Sequence, residues 1–309
     1  MNAPSPVASE DTPWDCLIIG AGPAGLVAAT YLGRYRRSAC VIDSGDSRAA
    51  HIPESHNVPG FPDGIAGPHL LQRLRLQAEA AGAVVDKGCI ERIEQEAGVF
   101  FAALEGRTLR AHAVLLATGM KDDASIDGLP AQATWRGQVR WCPICDGYES
   151  LDKDVIVLGE WAHGPAHALF MRTYTRRLSL VCPPAGAERQ RDRDRLAEAG
   201  VRLIEAQARR ADFDRTGGGS LLLSDGSRLA FDVLYPMTGS HPRSNLALAM
   251  GAACDEQGAL LVDRHQQTSI HGLYAAGDVV ASLKQISVAV SEAALAANAI
   301  HRGLPRNFR

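Results

Sequence analysis

The chain has 309 residues, enough for roughly two domains at about 150 residues each. A net charge of −3 offers no basic footprint for nucleic acid, and no apolar run reaches the ~18 residues a membrane span needs. Seven cysteines, an odd number with only Cys142 and Cys145 closely spaced, argue against a secreted disulfide scaffold and for a cytoplasmic chain whose other thiols are reduced.

Residues 1–13 lack the basic and apolar regions of a signal peptide and are expected to be a disordered lead-in. The continuous apolar run 16–19 predicts a buried parallel strand. Cys16, and Cys40 in the strand after it, read as small core hydrophobes. Residues 20–25 are G-A-G-P-A-G. Gly20 allows a tight turn, Gly22 lets the backbone approach a pyrophosphate, and Gly25 permits close helix–strand packing. Pro23 and Ala24 complete the turn and open an Ala-rich helix to about residue 34, whose first N–H groups face the phosphate. The strand at 39–42 ends at Asp43, 23 residues after Gly20, where a carboxylate can accept ribose hydroxyls. Strand, glycine turn, helix and acid together predict dinucleotide binding.

Residues 51–68 are rich in Pro and Gly and read as a loop. His51 and His56 within it are more simply loop hydrogen-bonding groups than active-site bases. A helix is expected at 68–81, then strands at 84–87, 90–95, 99–104 and 108–111, and a separate buried strand at 114–117 that runs into A-T-G at Ala117, Thr118 and Gly119. A second strand–turn–helix unit begins at 154, with a strand at 155–158, a turn at 159–164 and a helix to about 174. Strands at 178–181 and 202–205 flank a charged helix at 186–199, and a hairpin-like segment at 208–234 leads into the strand 233–237. The chain closes with A-A-G-D at 275–278 and an Ala-rich helix at 285–302. This order predicts an α/β fold: two Rossmann-like (three-layer ββα-type) nucleotide-binding domains, the second inserted in the first. The expected boundaries are 14–122 plus 242–309 for the first and 123–241 for the second.

Residues 141–147 are W-C-P-I-C-D-G. A thiolate is the nucleophile of disulfide exchange, so its pKa sets its activity. At a helix start the macrodipole favours the thiolate, and Pro143 fixes φ between the two cysteines. A zinc half-site needs a second ligand pair, and the sequence offers none at the usual spacing. Cys142 and Cys145 therefore read as a redox-active pair, with Trp141 shielding it or packing between domains rather than contacting substrate. His163 and His167, four apart on an expected helix, lack a third ligand and read as packing or surface groups.

G-A-G-P-A-G (20–25), N-x-P-G-F-P-D-G (57–64), A-T-G (117–119), C-P-I-C-D-G (142–147), Q-T-S (267–269) and A-A-G-D (275–278) span nearly the whole chain. In this order they resemble the low-molecular-weight thioredoxin reductase family of FAD-dependent pyridine nucleotide-disulfide oxidoreductases. The resemblance implies that the first fingerprint holds FAD, with Ala117, Thr118 and Gly119 beside it. It places Asp278, after Gly277, at the ribityl–phosphate part, Gln285 and Ile286 by the pyrimidine ring, and Asn57 close to the isoalloxazine. It sets Cys145 against flavin C4a, gives Cys142 the exchange with an outside partner, and makes Asp146 an acid–base. It also implies a homodimer, acting on a thioredoxin-like protein or a small dithiol or disulfide.

The second fingerprint, expected to take NAD(P)H, is altered. Residues 159–164 are G-E-W-A-H-G. Gly159 is kept, but Trp161 stands where the backbone should approach a pyrophosphate. The stretch 182–186 is C-P-P-A-G, without the cations that would hold a 2′-phosphate, and Arg176 and Arg177 precede the strand as a solvated helix end. The electron donor stays open among NADPH, NADH, a reduced ferredoxin and a substrate dithiol. The direction stays open too: a disulfide reductase, or a dithiol oxidase using oxygen.

Overall fold

A computed structural model describes residues 12–123, 126–127, 129–215 and 217–308. Most of the expected N-terminal lead-in lies outside the described residues. In chain order the elements are β1 (Trp14–Ile19), α1 (Pro23–Arg34), β2 (Ala39–Asp43), α2 (Gly67–Ala80), β3 (Val84–Lys87), β4 (Ile90–Glu96), β5 (Val99–Leu104) and β6 (Arg107–Leu116). After β7 (Met120–Asp122) come α3 (Ala131–Trp135), α4 (Pro143–Asp146), β8 (Val155–Gly159), α5 (Gly164–Met171), β9 (Leu178–Cys182), α6 (Gln190–Glu198) and β10 (Arg202–Glu205). Strands β11 (Ala208–Phe213), β12 (Gly219–Leu223), β13 (Arg228–Phe231), β14 (Val233–Met237) and β15 (Ser240–Pro242) follow, then α7 (Asn245–Ala249), β16 (Leu273–Ala275) and α8 (Ile286–Gly303).

The chain divides into two compact units. The first comprises 1–50, 67–121 and 241–309; the second comprises 51–66 and 122–240. The loop 51–66 thus groups with the second unit by its contacts.

In the first unit the sheet order is β3-β2-β1-β6-β5-β4, with β16 also pairing β6. Strand β1 is parallel to both β2 and β6. Its side chains alternate between two cores: Cys16 and Ile18 pack with Leu26 of α1 and Ala293 of α8, whereas Leu17 and Ile19 pack with Phe100 and Leu260. Burial on both faces is why β1 reads as an unbroken apolar run. Burial also pushes the Cys16 thiol far up and the Cys40 thiol up to about 12, so both are inert core groups.

The expected strands at 108–111 and 114–117 are one strand, β6. Its first half pairs antiparallel with β5 and its second half pairs parallel with β16. The side-chain pattern changes at residue 113 because the neighbour changes, not because the strand stops. Helix α5 likewise ends at Met171, short of 174, where Thr173 N–H closes a tighter turn onto the Phe170 carbonyl and Arg172 donates to the carbonyls of Thr175 and Ala199.

The second unit holds a four-stranded parallel sheet, β10-β9-β8-β14, and a three-stranded antiparallel sheet, β11-β12-β13. Its core gathers Val155, Val157, Leu180, Leu196 and Tyr235.

The turn after β1 depends on a close approach. Gly20 has φ +105°, and a Cβ there would lie 2.3 Å from the Ala117 carbonyl oxygen at the end of β6. A Cβ on Gly25 would lie 1.9 Å from the Gly20 carbonyl oxygen. Substituting Gly20→Ala is expected to lower stability by about 1–3 kcal/mol through overpacking against backbone; thermal unfolding checks it.

Candidate functional site

In the first unit three motifs converge at the carboxyl ends of β1 and β6, the crevice where doubly wound sheets bind ligands. Gly20 abuts Ala117, and a Cβ on Gly277 (φ +82°) would meet the Ala24 Cβ at 3.1 Å. Gly22 is the N-cap of α1 and has no side-chain cap, and a Cβ there would meet only Ser47 Oγ, at 3.4 Å. The first turn of α1 therefore presents uncapped N–H groups beside an open backbone position, which suits a pyrophosphate. Asp43 Oδ1, at the end of β2, accepts from Ala21 N–H at 3.1 Å.

The A-T-G stretch is strapped in place. Thr118 Oγ1 donates to the Arg243 carbonyl at 2.7 Å, and Arg243 N–H donates to the Gly119 carbonyl at 2.9 Å. Asp278 pairs with Arg48 at 3.4 Å. Gln285 is the extended N-cap of α8, and Ile286 is its first residue. These residues fit the diphosphate and ribose of a dinucleotide.

Two supporting groups lie outside the sequence motifs. Glu292 is buried in α8 and its Oε2 accepts from Gly277 N–H at 2.7 Å, holding the turn that presents Asp278. Its one signal in the sequence is that it is the lone carboxylate of an Ala-rich helix. Arg48 carries no pattern signal.

The dithiol lies in the second unit. Cys142 and Cys145 are disulfide-bonded with Cα atoms 5.2 Å apart. Cys142 is the N-cap of the short helix α4, and its Sγ accepts from Cys145 N–H at 3.2 Å. Both cysteines are half-buried, and Ile144 between them is exposed. Trp141 donates from its indole N–H to Thr134 Oγ1 at 3.3 Å, which ties it to α3 within the same unit.

Asp146 is held by groups that the backbone brings together. Val139 bridges Leu234 in parallel, and Arg140 N–H donates to the Leu234 carbonyl at 3.0 Å. This register sets Arg140 beside Tyr235. Arg140 pairs with Asp146 Oδ2 at 3.3 Å, and Tyr235 Oη lies 3.1 Å from Asp146 Oδ1. Ser150 Oγ is 3.0 Å from Tyr235 Oη, so Ser150 donates to Tyr235 when Tyr235 donates to Asp146. Burial pushes the Asp146 carboxyl up to about 6, against the lowering effect of Arg140 and Tyr235. A carboxyl near 6 can both hold and release a proton around neutrality.

Other residues singled out by the sequence have local partners. Asn57 accepts from Ser55 Oγ at 2.9 Å inside the 51–66 loop, and His56 pairs with Glu54 at 3.4 Å. His163 is the N-cap of α5; burial and His163 together lower the pKa of His167. Arg177 is exposed and pairs with Asp154.

The altered fingerprint is filled. Trp161 is buried, and its indole N–H donates to the Pro183 carbonyl at 2.7 Å. The guanidinium of Arg193, from α6, lies 5.1 Å from the indole centroid. A nicotinamide dinucleotide does not fit these residues.

The family profile of pyridine nucleotide-disulphide oxidoreductases matches residues 14–293. A thioredoxin reductase from Treponema pallidum (strain Nichols) is 30% identical over 305 residues, covering 94% of this chain and 96% of that protein. One from Listeria innocua is 28% identical over 312 residues, covering 94% and 93%. Among solved structures, the thioredoxin reductase of Streptococcus pyogenes matches with a TM-score of 0.85 at 26% identity, covering 94% of this chain and 97% of that one.

The two partners of Asp146 generate a test. Both favour the carboxylate, so removing either raises its pKa. Arg140→Met is expected to move the ionisation limb near pH 6 upward, and Tyr235→Phe to move it upward by less, because Arg140 exerts the larger effect. Asp146→Asn should remove the limb. The pH profile of flavin reduction by a dithiol measures all three.

Proposed function

We infer what each residue does from the premise that this chain belongs to the pyridine nucleotide-disulphide oxidoreductase family and is an FAD-dependent disulfide oxidoreductase of the thioredoxin reductase type. The observation that carries the residue assignments is the Cys142–Cys145 disulfide at the start of α4 with the buried carboxyl of Asp146 directly after it. FAD supplies a two-electron store that can exchange electrons with a dithiol.

In this reading Gly20, Gly22, Pro23, Ala24 and Gly25 hold the pyrophosphate through the first turn of α1. Asp43 takes a ribose hydroxyl, and Ala117, Thr118 and Gly119 wall the site. Gly277 and Asp278 meet the ribityl–phosphate, Gln285 and Ile286 the pyrimidine edge, and Asn57 the ring system. The first unit is thus the FAD-binding domain and the second the dithiol-bearing one. Cys142 exchanges with the outside disulfide, forming a mixed disulfide that Cys145 resolves. Cys145 takes up electrons from the flavin side. Asp146 holds the proton that each departing thiolate needs and accepts it back as the pair reoxidises.

The relatives are named thioredoxin reductases, which favours a disulfide-reducing direction over a dithiol oxidase. The outside partner is a thioredoxin-like protein or a small disulfide. Among the described residues no helix is long and apolar enough to cross a membrane. Cys16, Cys40, Cys89, Cys182 and Cys254 form no disulfide, which fits a reducing cytoplasm. The reading includes a homodimer, which light scattering of the purified protein would detect.

Both Cys142→Ser and Cys145→Ser are expected to abolish turnover with a disulfide partner while retaining bound FAD. Cys145→Ser should also abolish anaerobic bleaching of the flavin by a dithiol. Bleaching at the wild-type rate in Cys145→Ser would refute the assigned electron path.

A further inference from the structure

The second unit repeats the architecture of the first around a different interior. Gly159 is the last residue of β8, as Gly20 directly follows β1, and a Cβ on Gly159 would lie 3.0 Å from Gly164 Cα and 3.2 Å from the Met237 carbonyl oxygen at the end of β14. The strand–turn–helix order of a dinucleotide crevice is present. Its contents are not those of an open site.

Trp161 leaves the loop after β8 and reaches the loop after β9, where it donates to Pro183. Its indole packs into the core that holds Val157, Leu180 and Cys182. The crevice of a doubly wound sheet lies outside the carboxyl ends of just such strands, and the indole crosses it. The turn has also used its own donors: His163 N–H and Gly164 N–H both donate to the Glu160 carbonyl, at 3.2 and 2.7 Å. An incoming phosphate would have to break those bonds.

Charge points the same way. Arg193 brings its guanidinium to the 182–186 loop, and it is committed. It donates to the Gly186 carbonyl at 2.9 Å, to the Ala185 carbonyl at 2.6 Å and to both oxygens of Glu205, at 2.7 and 3.1 Å, while lying against the indole face. Glu205 also accepts from Ala185 N–H, and Glu188 accepts from Gly186 N–H at 3.1 Å. Carboxylates thus occupy the backbone donors that a ribose phosphate would seek.

We propose that Trp161, clamped by Arg193 and Glu205, fills the dinucleotide crevice of the second unit, so that this enzyme does not bind NAD(P)H. Trp161 is then the residue that bars the nicotinamide nucleotides. The inference rests on the flavin–dithiol reading above, and the experiment separates the two.

Isothermal titration of the FAD-loaded protein with NADP+ and NAD+ is expected to give no binding heat at micromolar nucleotide. In anaerobic cuvettes NADPH and NADH should leave the flavin absorbance unchanged, while dithiothreitol bleaches it. Binding heat or rapid bleaching by either nicotinamide in the wild type overturns the proposal, and needs no variant. Trp161→Gly is expected to gain binding heat and nicotinamide-driven bleaching, and Glu205→Gln, which releases Arg193, to strengthen the gain in the double variant. A Trp161→Gly protein that still bleaches with dithiothreitol, and so is folded, yet binds neither nucleotide overturns the role given to Trp161. Failure of dithiothreitol to bleach the wild type counts against the flavin–dithiol reading alone.

Discussion

One close approach organises the first unit: the glycine after its first strand lies under a carbonyl at the end of the neighbouring strand. This is Gly20 under Ala117. No side chain larger than hydrogen fits at Gly20, because 2.3 Å to a carbonyl oxygen is far inside van der Waals contact. With the strands so close, α1 starts directly at the crevice and its unpaired N–H groups become a phosphate site. The rest of the first unit serves that geometry. Glu292 holds Gly277 and Arg243 holds Gly119, so both neighbouring turns stay at the mouth of the crevice.

The dithiol site obeys a different constraint, the cost of burying a carboxyl. Desolvation alone would drive Asp146 well above its ordinary value, and an unpartnered buried carboxylate would not stay ionised. Arg140 and Tyr235 offset part of that cost and leave it near 6. A value near 6 leaves a minor protonated fraction at neutral pH, so Asp146 can both donate and accept a proton there; stronger partners would shrink that fraction and weaker ones would enlarge it. Since the folded value lies above the ordinary 3.8, protonated Asp146 favours the fold; that contribution is complete below about pH 4 and fades as pH rises through about 6.

How much of this is legible in the sequence depends on whether a group's role is set locally. Strand β1 with its glycine turn, the Cys142–Cys145 pair and the A-G-D turn are each fixed within a few residues, and all are readable. Strand β6 reads as two strands because periodicity reports burial, and burial changes midway when β16 replaces β5 as neighbour. Arg140 and Tyr235 are invisible because they lie 95 residues apart and meet only through the pairing of 139 with 234. Trp161 is legible as a misfit in its motif. Its clamp is not, since Arg193 arrives from α6 and Glu205 from β10.

The energetics decide whether such a misfit is a tolerated blemish or a closed door. Truncating a buried tryptophan costs about 3–5 kcal/mol, so a ligand that had to evict the intact indole would forgo a similar amount. At 1.4 kcal/mol per decade that is a loss of roughly a hundredfold to several thousandfold in affinity, before the Glu160 turn is broken or Glu205 is approached by a phosphate. A nucleotide that ordinarily binds in the micromolar range would then need millimolar concentrations or more. The packing of this tryptophan, its hydrogen bond to Pro183 and the committed Arg193 all stabilise the filled crevice.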